Sequence, residues 1–248
     1  MAEEAISIRT TDGECPAYIF TPDRSAARSA VIFYMDGFGL RPALMKMAGR
    51  LADKGYTVLL PDMFYRFGPY GPFDPTAVLG QDFHAILGPL MATTDNRQAA
   101  KDSGFFLDYL ISRDDVLSAP VGVIGFCMGG GIALTVAGAF PERVAAAASF
   151  HGGNLANDAP QSPHLLAERM RGEIYVAGAD MDSSYPPEMA KRLAQAMTEA
   201  GVTHRCEVYE NALHGWMMPD LPIFDPAAAA RGWHAALALF ERNLSPVS

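Results

Sequence analysis

The sequence predicts one α/β domain spanning residues 1–248, with a mostly parallel central sheet, helices on both faces and an antiparallel hairpin at the N-terminus. Three observations predict it. Continuous apolar runs of strand length alternate with amphipathic stretches of helix length from about residue 29 onward. Two strand-like stretches joined by a turn precede them. No linker, repeat or low-complexity tract divides the 248 residues, half of which are apolar. A strand that is apolar on both sides suits a sheet covered on both faces, and strand–helix alternation at this spacing marks βα units.

The elements follow in order. AISIRT and CPAYIF flank the turn TDGE and read as the hairpin. SAVIFYM is a buried strand, and RPALMKMAGRLADKG a helix stopped at Gly55. YTVLLPD is the next strand, NRQAAKDSGFFLDYLIS an amphipathic helix, VGVIGF a strand and GGGIALTVAGAF a helix of small residues. RVAAAASFHG and GEIYVAGAD are strands, PPEMAKRLAQAMTEAG a helix, THRCEVYE a strand and DPAAAARGWHAALALFERNL the closing helix. The stretch from about 63 to 95, rich in Pro, Gly and aromatics, reads as a long lid-like or binding loop.

The totals restrict function. A net charge of −9, from 19 Lys+Arg against 28 Asp+Glu, supplies no basic footprint for nucleic acid or an anionic membrane. A small-molecule substrate is the expectation. The N-terminus lacks the profile of an export signal and no apolar window is long enough to span a bilayer, which predicts a cytoplasmic protein. Cys15, Cys127 and Cys206 are an odd number without a CxxC or His/Cys cluster, so neither disulfides nor a metal site is expected.

The stretch GFCMGG carries the chemistry. Cys127 stands between Gly125 and Gly129 where a strand becomes a helix, at the carboxyl end of the sheet where α/β folds bind ligands. A nucleophile thrust from a sharp strand-to-helix turn needs neighbours at minus two and plus two without side chains. This is the elbow of α/β-hydrolases, with cysteine in place of the commoner serine. The helix beginning at Met128 points its N–H groups at the sulfur, which favours a thiolate and makes the Met128 N–H an oxyanion donor.

A thiol nucleophile needs a base and an acid to orient it. His214 follows the last strand and precedes the closing helix, the place of the histidine in this topology. His84, His164, His204 and His234 read as surface or packing residues. His151 ends the strand after the nucleophile's own, so it either contacts substrate or bonds into the neighbouring loop. Asp180 and Asp182 both follow the seventh strand and both satisfy the chain order nucleophile, acid, histidine.

With these motifs in place, the chain resembles the dienelactone hydrolase family of α/β-hydrolases. GFCMGG is similar to that family's G-x-C-x-G-G elbow, YMDGFG to the segment after its first inner strand, DSSYPPE to its acid followed by x-x-x-Pro, and ALHGW to its histidine segment. The resemblance implies Asp182 as the acid, the Gly37 N–H as second oxyanion donor, and hydrolysis of a lactone or carboxylic ester through an acyl-cysteine without a cofactor. It also implies a role in aromatic compound degradation, as a monomer or homodimer. The family has a glutamate before the second donor, close to the nucleophile; this chain has Asp36, one methylene shorter.

The substrate is less constrained. The family binds a substrate carboxylate with arginines, one of them four residues after the histidine, where this chain has Met218. Either Arg66 supplies that cation from the long loop, or the substrate is an uncharged ester or thioester and Phe38, Tyr65, Trp216 and Met217 line an apolar pocket. A non-catalytic relative and a thiol redox sensor using Cys127 are the rival classes.

Overall fold

The computed structural model describes residues 1–23 and 26–244, so the last four residues of the expected domain lie outside it. Eight strands form one sheet among the described residues: β1 (Ala2–Arg9), β2 (Glu14–Thr21), β3 (Ala30–Tyr34), β4 (Thr57–Pro61), β5 (Val121–Phe126), β6 (Val144–Phe150), β7 (Glu173–Met181) and β8 (His204–Leu213). Their spatial order is β1-β2-β4-β3-β5-β6-β7-β8. β1 pairs with β2, and β2 with β4, in antiparallel fashion, while β4, β3, β5, β6, β7 and β8 run parallel. The expected mixed sheet with its N-terminal hairpin is what the chain adopts.

Helices α1 (Pro42–Asp53), α4 (Asn96–Ile111), α5 (Met128–Ala139), α6 (Pro187–Glu199) and α7 (Pro226–Asn243) cover the sheet. Local chemistry sets their ends. Asp95 caps α4 by accepting from the Gln98 N–H at 2.8 Å, and Asp225 caps α7 ahead of Pro226. Gly55, at φ 99°, turns the chain out of α1. The segment expected as a long loop carries two helices of its own, α2 (Pro75–Leu79) and α3 (Phe83–Met91), capped by Asp74 and Asp82. Its glycines and prolines punctuate these two short helices, which the sequence reading took for breaks in one loop.

The core is organised by the two faces of β5. Gly122 and Phe126 point toward α7, where a Cβ at Gly122 would meet Phe240 and where Phe126 lies 6.3 Å from the Trp233 ring. On that face Phe33, Phe126 and Phe150 stack across three neighbouring strands, with ring centroids 4.8 and 5.6 Å apart. Gly125 points to the other face, where α5 packs so closely that a Cβ would overlap the Gly129 carbonyl. β3 and β5 lie side by side where the chain's winding reverses, and the crevice at their carboxyl ends is where such sheets bind ligands.

Phe126 is fully buried within this aromatic stack and immediately precedes Cys127. Phe126→Ala should therefore lower unfolding free energy by about 3–5 kcal/mol in urea titration, the cost of an aromatic-sized void. A loss below about 1 kcal/mol would mean that the stack does not anchor the strand beneath Cys127.

Candidate active site

Cys127 begins the turn from β5 into α5 with φ 53° and ψ −116°, a backbone conformation that L-residues rarely hold. Its carbonyl accepts from Gly130 at 3.0 Å, and its N–H lies 3.0 Å from the Phe150 carbonyl and 3.1 Å from His151 Nδ1. Gly129 sits against the carbonyls of Tyr34 and Met35, where any side chain would collide. The two flanking glycines therefore do what the motif requires: one lets strand and helix meet, the other lets the helix start beside β3.

The next strands deliver the partners. Asp182, just beyond β7 and nearly buried, accepts from His214 Nδ1 at 2.7 Å. Its other oxygen accepts from the Ser184 N–H at 2.8 Å and hydroxyl at 2.6 Å, so the carboxylate is held on both sides. Asp180, the alternative acid, instead accepts from the Asn211 N–H at 2.9 Å. His214 follows β8 and lines the same cavity as Cys127, and with Nδ1 engaged by Asp182 the nitrogen left for the thiol is Nε2. Burial opposes a charge on His214, yet the bonds to Asp182 and Cys127 outweigh it and the imidazole is pushed up to about 10. Asp182 is correspondingly held below its ordinary value: burial raises it, but the bonds to His214 and Ser184 prevail.

Gly37 and Met128 both line the cavity at Cys127, and neither backbone N–H has an acceptor among the described residues. Phe38 lines it too. The loop bearing Gly37 is fastened by a residue that sequence reasoning missed. Arg41 clamps both oxygens of Asp36, at 2.6 and 2.8 Å, and reaches Asp220 beyond His214 at 2.6 Å. It also donates to the Gly39 carbonyl at 3.2 Å, while Asp36 accepts from the Phe38 N–H at 3.0 Å. Tyr70 closes the other side: its hydroxyl accepts from the Leu40 N–H at 3.2 Å and donates to Asp62 at 2.6 Å. The only hint in the sequence was an arginine five residues after Asp36; that Asp220 would join them depends on two distant loops meeting.

Asp36 lines the cavity but is engaged in its own loop, and several other expected site residues lie outside the cavity. Asp36 serves Arg41 and the Phe38 N–H, with no hydrogen bond to Cys127, because its shorter side chain turns into the loop that carries it. Arg66 is not a substrate cation here: Asp12 and Asp102 hold its guanidinium at 2.7 and 2.9 Å, away from the cavity. Tyr65 joins that cluster through Thr10 and Asp102. Trp216 and Met217 do not line a pocket, being fully buried, with Trp216 stacked 4.4 Å from Tyr209. His151 lies wholly buried beneath the nucleophile, its ring 5.6 Å from that of His214, and burial together with the charge of His214 holds it neutral. In contrast, His84 and Met218 line the cavity.

Among known proteins, the model of a family described as the dienelactone hydrolase family matches residues 15–244. A carboxymethylenebutenolidase of Rhodococcus opacus is 28% identical over 251 residues, covering 98% of this chain and 93% of that relative. A solved structure of a dienelactone hydrolase-like promiscuous phosphotriesterase from metagenomic libraries is 27% identical with a TM-score of 0.76, covering 98% and 99% of the two chains. A Klebsiella pneumoniae structure named for dienelactone hydrolase has a TM-score of 0.84 at 22% identity over 97% and 98%, a likeness of fold.

The Arg41 clamp yields a prediction with a sign. Asp36 and Arg41 are 2% and 1% exposed, so Arg41→Met strands a buried carboxylate and should cost about 3–5 kcal/mol of stability at neutral pH. Burial already pushes the Asp36 carboxyl up while Arg41 draws it down, so without Arg41 its folded value rises further above the unfolded one. The deficit should then shrink as acid protonates Asp36, and a deficit independent of pH in urea titrations would show that the pair is not what is lost.

Proposed function

The chain belongs to the dienelactone hydrolase family, with the α/β-hydrolase fold and the ester or lactone hydrolysis of that family, and we propose that it works through a Cys127–His214–Asp182 triad and an acyl-cysteine intermediate. The observation that carries this reading is the 2.7 Å bond between Asp182 and His214 Nδ1, with His214 and Cys127 lining the same cavity. Asp182 fixes the ring, so that Nε2 meets the sulfur, and its charge stabilises the imidazolium.

In the first half-reaction the sulfur, its proton already on His214, attacks the substrate carbonyl. The oxygen's developing charge is met by the N–H groups of Met128 and Gly37, both on rigid backbone and both without an internal acceptor. The tetrahedral species collapses to acyl-cysteine as His214 gives its proton to the leaving alkoxide. In the second half-reaction His214 takes a proton from water, the hydroxide attacks the acyl carbon, and the thiol is regenerated as the acid leaves. For a lactone the leaving alkoxide stays attached to the acyl group, so one product results.

Arg41 and Tyr70 support this chemistry by holding the Gly37 loop, and Ser184 supports it by holding the oxygen of Asp182 that His214 does not use. His151 keeps the Cys127 backbone in its strained conformation by accepting its N–H.

Cys127→Ala should abolish hydrolysis of p-nitrophenyl acetate, and Asp182→Asn should lower kcat by about 10²–10⁴-fold with little change in KM. Full activity in Cys127→Ala would sink the triad, and peroxide-sensitive oxidation of Cys127 without any hydrolysis would favour a redox role. A second expectation concerns pH. Because folding raises His214 from 6.5 to about 10, its charged form adds stability that is fully present below pH 6.5 and is lost as pH rises through 10. The stability gap between wild type and His214→Gln should narrow over that window in thermal or urea unfolding.

A further inference from the structure

The cavity at Cys127 measures about 1040 Å³, at the upper end of the roughly 300–1,000 Å³ that drug-sized ligands occupy. Among the described residues no lysine or arginine lines it. Its three carboxylates are all committed: Asp36 to Arg41, Asp95 to the N-terminus of α4, and Asp182 to His214. Apart from His214, which is already paired with Asp182, a carboxylate on the substrate would find no cation in place and three carboxylates around it, and would lose its hydration on entry.

The walls are apolar in a patterned way. Phe83, Leu87 and Met91 recur every four residues along α3 and turn one continuous stripe toward the cavity. Met218 faces the same space with Leu221 and Ile223. The apolar surface continues to the mouth: Leu79, Met91, Met181 and Leu213 line the cavity while being 46%, 38%, 61% and 39% exposed. Exposed large apolar side chains gathered at one opening mark a surface that an apolar ligand covers.

On the reading of Cys127 as the nucleophile, we infer that this site takes uncharged esters with a long apolar acyl chain and rejects acyl chains that carry a carboxylate. Alkyl carbons of the acyl group lie along the α3 stripe and the Met218 wall, and the ester carbonyl stays at the sulfur. The specificity is set by what is absent as much as by what is present: beyond His214, which Asp182 already pairs, no cationic side chain is fixed in the cavity among the described residues.

The test is steady-state kcat/KM for three esters that share one leaving group: p-nitrophenyl acetate, p-nitrophenyl octanoate and the mono-p-nitrophenyl ester of octanedioic acid. They are measured with wild type, Cys127→Ala and Leu79→Arg. Octanoate should exceed acetate by about tenfold or more, since each buried methylene is worth up to about fourfold, and should exceed the diacid monoester by a similar factor. Leu79→Arg, which puts a cation at the exposed rim, should narrow the gap between octanoate and the diacid monoester by about threefold or more. A diacid monoester cleaved as well as octanoate, or acetate cleaved as well as octanoate, overturns the inference while leaving the triad intact. Octanoate preference that persists in Cys127→Ala overturns the triad and leaves the substrate class standing, and cleavage of none of the three overturns both.

Discussion

Cys127 holds φ 53° and ψ −116° at the junction of β5 and α5, and most of the site's architecture follows from keeping it there. A non-glycine residue in such a conformation costs of the order of 1–3 kcal/mol and persists only where its surroundings over-determine it. Here they do. Below, the Cys127 N–H is shared between the Phe150 carbonyl and His151 Nδ1; ahead, its carbonyl is bound by Gly130; on either side, Gly125 and Gly129 allow contacts that a single methyl group would prevent. The strain exposes the sulfur at the carboxyl end of the sheet, beside the N-terminus of a helix.

The same constraint explains why the flanking loops are built as they are. A nucleophile fixed on rigid backbone is useful only if the donors and the base are fixed to the same tolerance, since positioning errors of an ångström are costly. A buried ion pair and a tyrosine hold the Gly37 loop, and Arg41 ties it through Asp220 to the loop that follows His214. The two loops that flank the cysteine are therefore one mechanical unit, closed by charge. Buried pairs of this kind add little net stability but are costly to break, which suits a device whose task is position.

How far the sequence revealed this differs from part to part for physical reasons. The succession of strands and helices followed from periodicity, because each parallel strand is a short apolar run and most helices are amphipathic. Cys127 and His214 were singled out by elbow and chain order, and the fold brings both to one cavity. The residues alone left Asp180 and Asp182 open, because they stand two positions apart at the end of β7, and only the resemblance favoured Asp182; in the fold Asp182 meets His214 and Asp180 the Asn211 N–H. Arg66, Tyr65 and Trp216 were placed at the site by residue type and proximity in sequence; in the fold, Asp12 and Asp102 claim the arginine and the β8 side of the core claims the tryptophan. Arg41 escaped notice because its meaning lies in a contact with a residue 179 positions away.

The central claim is that Cys127 carries the acyl group between the two half-reactions. Rapid acid quench of the wild type during turnover of a p-nitrophenyl ester, followed by peptide mass spectrometry, tests it most directly. The account predicts an adduct of the acyl mass on the peptide that contains Cys127, appearing with the first burst of p-nitrophenol and decaying as substrate runs out. Turnover with an unmodified Cys127, or with the acyl group on another residue, would contradict it.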